Sequence, residues 1–141
     1  MFNHEQLEVY QLELKFISWV TDLLDEVREQ KTGRVREVSD QLDRASLSSL
    51  LNTAEGNAKR QPALRTRYFD DARGSAVECA ACLDALVSKR VVAEARVGPG
   101  KEMLLSIVRM LSKLCPVPLD EFAVRETAGC YEILGVDSDK D

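Results

Sequence analysis

Apolar side chains recur every three or four residues between Leu7 and about Arg28, which is the spacing of one face of an α-helix. One series runs Leu7, Tyr10, Leu14, Ile17 and Leu24, and a second lies beside it at Leu12, Phe16, Val20, Leu23 and Val27. Two adjacent series predict a first helix with a broad buried face. The polar segment 29–33 ends in a glycine and predicts the turn that follows.

The same spacing resumes at Val35 and predicts a second helix that continues to Ala58. Pro62 marks the next turn, because proline cannot donate to the helical ladder and disfavours helix at the preceding residue. The third helix has the clearest pattern, with apolar residues in steps of three and four at Phe69, Ala72, Ala76, Cys79, Leu83 and Leu86. This series predicts a seam that faces other helices and ends near Arg90.

The segment 97–100 reads Val-Gly-Pro-Gly and predicts another break. A fourth helix is expected to begin around Pro99, because proline is favourable in the first turn, and to end before Pro116. Strand-like alternation is absent from the sequence. Four helices of roughly 17 to 27 residues with short connections predict an all-α fold, an antiparallel up-down-up-down four-helix bundle.

The negative charge is concentrated in the C-terminal segment 119–141. Seven acidic residues accompany two basic ones there, so this segment carries the whole net charge of −5 of the 141-residue chain. A neutral body lacks the broad basic field of a dedicated nucleic-acid binder. We assign residues 1–116 to the bundle and 117–141 to an acidic tail. Because this tail also holds apolar residues such as Phe122 and Tyr131, we expect it to be loosely structured, or docked on the bundle or a neighbouring subunit.

The sequence offers little catalytic or metal chemistry. Cys79 and Cys82 form a CxxC motif, but His4 is the only histidine and a second CxxC is missing, which leaves zinc short of ligands. We therefore predict no catalytic residues, no metal and no cofactor. The sequence has no apolar run of about 18 residues and no signal peptide, so we expect no membrane association and a cytoplasmic location. The cysteines are then expected to stay reduced and pack as small apolar residues.

Two stretches inside the second and third helices are unusually polar for a bundle. Their distinctive residues are Arg44, Asn52, Glu55 and Gly56 in one, and Arg73, Gly74, Ser75 and Glu78 in the other. A mid-helix glycine costs about 1 kcal/mol relative to alanine, so we expect a close approach of the two helices at both glycines.

An antiparallel hairpin around Pro62 sets the register of these two stretches, because residues whose numbers add to about 125 then lie opposite one another. Asn52 is then expected to face Gly74 and Ser75, Glu55 to come within a turn of Arg73, and Arg44 within a turn or so of Glu78. Paired in this way, the carboxylates and guanidiniums could satisfy one another. One interpretation is a buried, mutually bonded network that fixes helix register. A ligand or catalytic site and a solvated face are the alternatives.

The two polar stretches in tandem resemble the bacterial four-helix-bundle family known from intervening sequences in 23S ribosomal RNA genes. The similarity extends from Leu7 to Cys115 and includes the opening Leu-Glu-Val-Tyr at residues 7–10. The resemblance implies an up-down bundle that assembles as a homopentamer without enzymatic activity. A related branch is the accessory variability proteins of diversity-generating retroelements. Their resemblance to this chain in fold implies pentamers that bind reverse transcriptase and RNA.

These observations favour a non-enzymatic oligomeric scaffold whose partner is unknown. The alternative is an RNA-binding or reverse-transcriptase-associated accessory protein. Its basic patch would be Lys59, Arg60, Arg65 and Arg67 around the turn between helices 2 and 3, repeated by a ring. A third hypothesis, an enzyme built on the carboxylates of the polar stretches, would need one of them in a cleft with a shifted pKa.

Overall fold

The computed structural model describes residues 1–30 and 35–115. These ranges contain a 3₁₀ turn at Asn3–Gln6 and four helices, α1 (Glu8–Glu29), α2 (Arg36–Ala58), α3 (Pro62–Ser88) and α4 (Glu94–Leu114). They contain no strand, and the predicted all-α fold is confirmed. None of these four helices combines the length and the apolarity that crossing a bilayer requires. The acidic tail lies outside the described residues, so its state stays a prediction.

Each of the four helices packs against the next one along the chain, and α4 also packs against α1. The pairing of α1 with α4 shows their relative direction. Arg96 contacts Glu26, whereas Gly100, one turn further along α4, lies against Trp19, nearer the start of α1. The two helices are therefore antiparallel, as the up-down order requires.

The buried face of α1 follows the second of its two apolar series. Phe16, Val20, Leu23 and Val27 are each at most 2% exposed, whereas Leu14 of the first series is 40% exposed. Towards the start of the helix the same face continues through Val9 and Glu13, both buried. Leu24 of the first series is buried as well, so the predicted broad buried face is present, but Leu14 is not part of it.

The buried face of α2 is made mostly of small and hydroxyl-bearing residues. Besides Leu42 and Leu50, it consists of Ser39, Ala45, Ser46, Ser49, Thr53 and Gly56. Two leucines that continue the predicted apolar series, Leu47 and Leu51, lie on the outside of the helix instead. Small side chains let α2 approach its neighbours closely, and the Ser49 and Thr53 hydroxyls donate to Glu13 on α1, so hydropathy alone assigns the wrong face.

The predicted seam of α3 is confirmed, since all six of its residues are buried. Cys79 and Cys82 both face the core as free thiols. Burial raises the pKa of each thiol, and the nearby Glu78 carboxylate adds to the effect. A raised pKa keeps a thiol protonated and unreactive, which supports a packing role for both residues.

The fourth helix begins earlier than predicted, at Glu94, and Pro99 lies inside it. The proline removes the hydrogen bond that would run to the carbonyl of Ala95. Gly98 allows the helix to continue, because a residue before proline normally clashes with the proline ring through its Cβ. Gly100 is present for packing rather than for a turn, since a Cβ there would overlap the Trp19 ring.

Candidate functional site

The contact between α2 and α3 carries a row of hydrogen-bonding side chains on the surface of the bundle. We call it the polar seam and define it by Gln41, Arg44, Ser48, Asn52, Ser75 and Glu78. At its centre the hydroxyl oxygens of Ser48 and Ser75 lie 2.9 Å apart. Asn52 donates to the Ser48 carbonyl at 3.0 Å and to the Ser48 hydroxyl at 3.1 Å. Ser48 thus joins Asn52 to Ser75 across the two helices.

Further from the turn, Gln41 connects Arg44 to Glu78. The Arg44 guanidinium donates to the Gln41 amide oxygen at 2.7 Å, and the Gln41 amide nitrogen donates to the Glu78 carboxylate. Arg44 and Glu78 are both exposed. This end of the polar seam is therefore a surface network in which an uncharged amide bridges two charged groups.

The structure places Glu55 and Arg73 in different surroundings, and the predicted pairing between them is wrong. Glu55 pairs with Lys59 at 3.2 Å, one turn along its own helix, and its side chain is 54% exposed. Arg73 pairs with Asp70 and donates to the Ser112 hydroxyl on α4 at 3.0 Å. Each charged group thus has an oppositely charged partner three or four residues away along the chain, which is the spacing at which side chains of one helix meet.

The two mid-helix glycines of the polar stretches have different environments. A Cβ at Gly56 would lie 3.0 Å from the Phe69 ring and from the Tyr68 Cβ, so α2 and α3 approach closely there. At Gly74 a Cβ would meet no described atom within 4 Å. The prediction of close packing is right for Gly56 and wrong for Gly74 within the described residues of one chain.

The chemistry of the polar seam is hydrogen bonding between hydroxyl, amide and charged groups. Its members satisfy one another along the surface and hold α2 and α3 in one register. Neither Glu55 nor Glu78 lies in a cleft, because both side chains are exposed. Within the described ranges, no three histidine, cysteine, aspartate or glutamate residues are grouped so that they could hold a metal ion.

The four basic residues around the turn between α2 and α3 divide into two pairs. Arg65 donates to the carbonyls of Asn57 and Lys59 at 3.0 and 3.1 Å, which satisfies groups at the end of α2 that lack helical partners. Lys59 pairs with Glu55 and lies 5.2 Å from the centre of the Tyr68 ring. Arg60 and Arg67 are exposed. The patch offered to solvent is therefore smaller than the sequence indicates.

Glu13 is a site that the sequence analysis missed. It is 2% exposed, and its Oε2 accepts from the Ser49 and Thr53 hydroxyls, each at 2.7 Å. Its Oε1 is buried without a hydrogen-bond partner among the described residues. Burial raises the pKa of Glu13 to about 7, and the two hydroxyl donors partly oppose the rise. The available signal was its position one turn after Val9 and three residues before Phe16, on the buried face of α1.

The Thr53 hydroxyl shows how this cluster can hold a proton. Its single hydrogen can go to the Glu13 carboxyl or to the Ser49 carbonyl, which lies 3.0 Å away. With that hydrogen on the carbonyl, the Thr53 oxygen accepts a proton from a neutral Glu13. The cluster therefore suits a protonated carboxyl.

Fold and site together define a class, an all-α bundle in which α2 and α3 are joined by hydroxyl, amide and charged side chains. Residues 5–113 match the family described as 23S rRNA-intervening sequence protein, which is more than half of the chain. The protein therefore belongs to the 23S rRNA-intervening sequence protein family.

A solved structure is similar to this chain over most of the bundle. It is a protein of unknown function from the S23 ribosomal protein family of Bacteroides thetaiotaomicron, with a TM-score of 0.69 and 20% sequence identity. The alignment covers 76% of this chain and 97% of the other. At that identity the likeness shows the fold alone. A comparison with curated proteins found no match.

Proposed function

We propose that this protein is a non-enzymatic scaffold that assembles into a homo-oligomer, a pentameric ring by its resemblance to the family, around a partner still to be identified. The outward face of α2 carries this proposal. Leu47 and Leu51 lie one turn apart on that face and are 50% and 55% exposed. Contiguous exposed apolar residues, unlike single scattered ones, are a feature of surfaces that another protein covers.

The surroundings of the two leucines suit a contact between identical chains. Asp43 and Glu55 continue the same row, one turn before and one turn after, and the polar seam lies beside it through Ser48. An apolar centre with a polar rim is the usual arrangement of an interface. A ring formed from one repeated contact would bury this face in every subunit.

The exposed Gly74 is further support for an interface on this side of the bundle. It neighbours Ser75 of the polar seam, and no described atom of its own chain lies where its Cβ would be. Glycine in a helix interior costs about 1 kcal/mol relative to alanine, so a neighbouring subunit that packs closely there would account for its presence.

Light scattering on the full chain tests the proposal. We expect a mass of several times the 15.8 kDa of one chain, and five times for the ring. The double variant Leu47→Asp/Leu51→Asp is expected to lower the mass to that of one chain, because a buried interface does not tolerate unpaired carboxylates. Leu64→Asp, at an exposed leucine on α3, is the control and should leave the mass unchanged. A wild-type monomer at micromolar concentration would contradict the proposal.

A second proposed function is an RNA-binding or reverse-transcriptase-associated accessory role, like that of the accessory variability proteins. Its support is the exposure of Arg60 and Arg67 at one end of the bundle, since Lys59 and Arg65 are engaged within the turn. Two cations per subunit give little affinity alone, but a ring would present them several times. Either function is proposed to operate in the cytoplasm, where free cysteines stay reduced.

The RNA alternative is tested by titrating a structured RNA at increasing salt. We expect the logarithm of the binding constant to fall linearly with the logarithm of the salt concentration. Arg60→Ala/Arg67→Ala should weaken binding and flatten that slope, whereas Arg36→Ala, at an exposed arginine at the start of α2, should not. Absence of binding at low salt would contradict this function and leave the scaffold proposal intact.

A further inference from the structure

An apolar groove lies open between α3 and α4. It has a volume of about 300 Å³, and the apolar side chains that line it are Ala76, Val77, Ala80, Leu104, Leu105 and Val108. Lys101 and Glu102 border it. The volume is at the lower end of the range for ligand pockets and suits one or two apolar side chains.

The exposed face of α4 beside this groove carries a basic row. Lys101, Leu105, Arg109 and Lys113 recur every four residues, so they lie on one face of the helix. Lys101 pairs with Asp84, whereas no ion pair between described residues involves Arg109 or Lys113. The row runs from the groove to the end of α4 and ends two residues before Cys115.

The acidic tail begins where this row ends. Cys115 lies beside α3, with its Sγ 3.8 Å from the Thr66 carbonyl oxygen. Leu105 and Leu114 are nine positions apart, which corresponds to about 14 Å of helix, so the groove is a short distance back along α4. The seven residues 116–122 can span about 23 to 25 Å when extended. Phe122 can therefore reach the groove from the end of its own helix.

We propose that the tail of the same chain folds back on α4 and docks in this groove, with Phe122 among the apolar side chains. In that arrangement Asp120 and Glu121 precede Phe122 and lie along the path past Lys113 and Arg109. The opposite charges match the acidic tail to the basic row, and the apolar residue matches the groove. Glu102 borders the far side, beyond the stretch that the two acids occupy.

The tail of the same chain has an advantage over any other occupant. It is tethered within reach of the groove, so its effective concentration there is of millimolar order, whatever the concentration of the protein. Surface ion pairs contribute little individually and are screened by salt. Burial of Phe122 is therefore expected to hold the tail, and the charges are expected to select its path. This contact is independent of the proposed oligomer.

Nuclear magnetic resonance on the full chain tests the docking. The sample carries protonated leucine and valine methyl groups and phenylalanine rings on a deuterated background. We expect nuclear Overhauser effects between the Phe122 ring and the methyl groups of Val77, Leu105 and Val108. They should vanish in Phe122→Ser and in Leu105→Arg. Leu64→Arg is the matched control, because Leu64 and Leu105 are equally exposed, at 37%.

The same sample, refolded with a large excess of deuterated chain, identifies the source of the tail. Effects within one chain keep their strength per labelled chain, whereas effects between chains disappear. Loss on dilution would assign the groove to a neighbouring subunit's tail and overturn the proposal, as would absence of the effects in the undiluted sample. Light scattering on each sample reports the oligomeric state separately, so failure of the ring and failure of the docking are distinguishable.

Discussion

At the scale of single residues, the buried Glu13 makes the stability of the fold depend on pH. Its carboxyl is buried between α1 and α2 with two hydroxyl donors on one oxygen. In the folded chain its pKa is about 7, compared with an ordinary value of 4.5. The unfolded chain therefore loses this proton at lower pH than the folded chain does, and deprotonation favours unfolding.

We predict that the free energy of unfolding falls as the pH rises from about 4.5 to about 7, and then levels off. The expected contribution of Glu13 to that fall is about 3 kcal/mol. Urea unfolding at a fixed chain concentration across this range measures it. Glu13→Gln should remove the fall, because the amide does not titrate, whereas Glu8→Gln, at an exposed position, should keep it. The same pH slope in wild type and Glu13→Gln would contradict a raised pKa.

The same residue shows where prediction from the sequence stops. Serine, threonine and glutamate are polar, so their positions in the sequence do not predict that Ser49, Thr53 and Glu13 lie in the core. Two hydroxyls and one carboxyl oxygen bond to one another across α1 and α2 in the core, and a single helix carries no sign of that pairing. The seam of α3 was predicted in full because its apolar residues need no particular partner, only an apolar neighbour.

At the scale of the helices, the contact between α1 and α4 depends on Gly100. Its position brings the backbone of α4 against the Trp19 ring, and the Arg96 guanidinium lies 5.4 Å from the centre of the same ring. Arg96 also forms two hydrogen bonds to Glu26, at 3.0 and 2.7 Å. One aromatic side chain thus connects a close backbone approach to an ion pair on the surface.

We predict that Gly100→Ala lowers the free energy of unfolding by about 2 kcal/mol, because overpacking against a rigid ring exceeds the gain in helix propensity. Chemical denaturation measures the change. The control is the double variant Gly100→Ala/Trp19→Leu, in which the smaller side chain leaves room for the new Cβ. Its destabilisation should be less than the sum of the two single changes. Strict additivity would show that the ring does not limit this position.

The helix boundaries show a second limit of sequence patterns. A Val-Gly-Pro-Gly segment is typical of a turn, yet α4 passes through it. The glycines have other causes here, since Gly98 relieves the restriction before proline and Gly100 makes room for Trp19. The second cause depends on a side chain some eighty positions earlier in the sequence, so local propensity could not reveal it.

At the scale of the whole molecule, the outward surfaces of α2 and α3 form the interface that we propose between subunits. The register of the two helices was predictable from an antiparallel hairpin, and Ser48 and Ser75 meet close to the predicted position. The exposure of the two leucines on α2 was not predictable, because exposed and core leucines can occur at the same helical spacing in the sequence.

We predict that Gly74→Ala weakens association of the subunits by roughly tenfold, if a neighbour packs on this face as proposed, because the added methyl group overpacks the contact. Light scattering over a dilution series measures the change, and circular dichroism checks that the helices remain. Combining Gly74→Ala with Leu47→Asp/Leu51→Asp should not lower the measured mass further, since the two aspartates already separate the subunits.

In a chain that stays monomeric, Gly74→Ala has the opposite effect. Alanine then raises the free energy of unfolding by about 1 kcal/mol through helix propensity alone, and that result would exclude Gly74 from any interface.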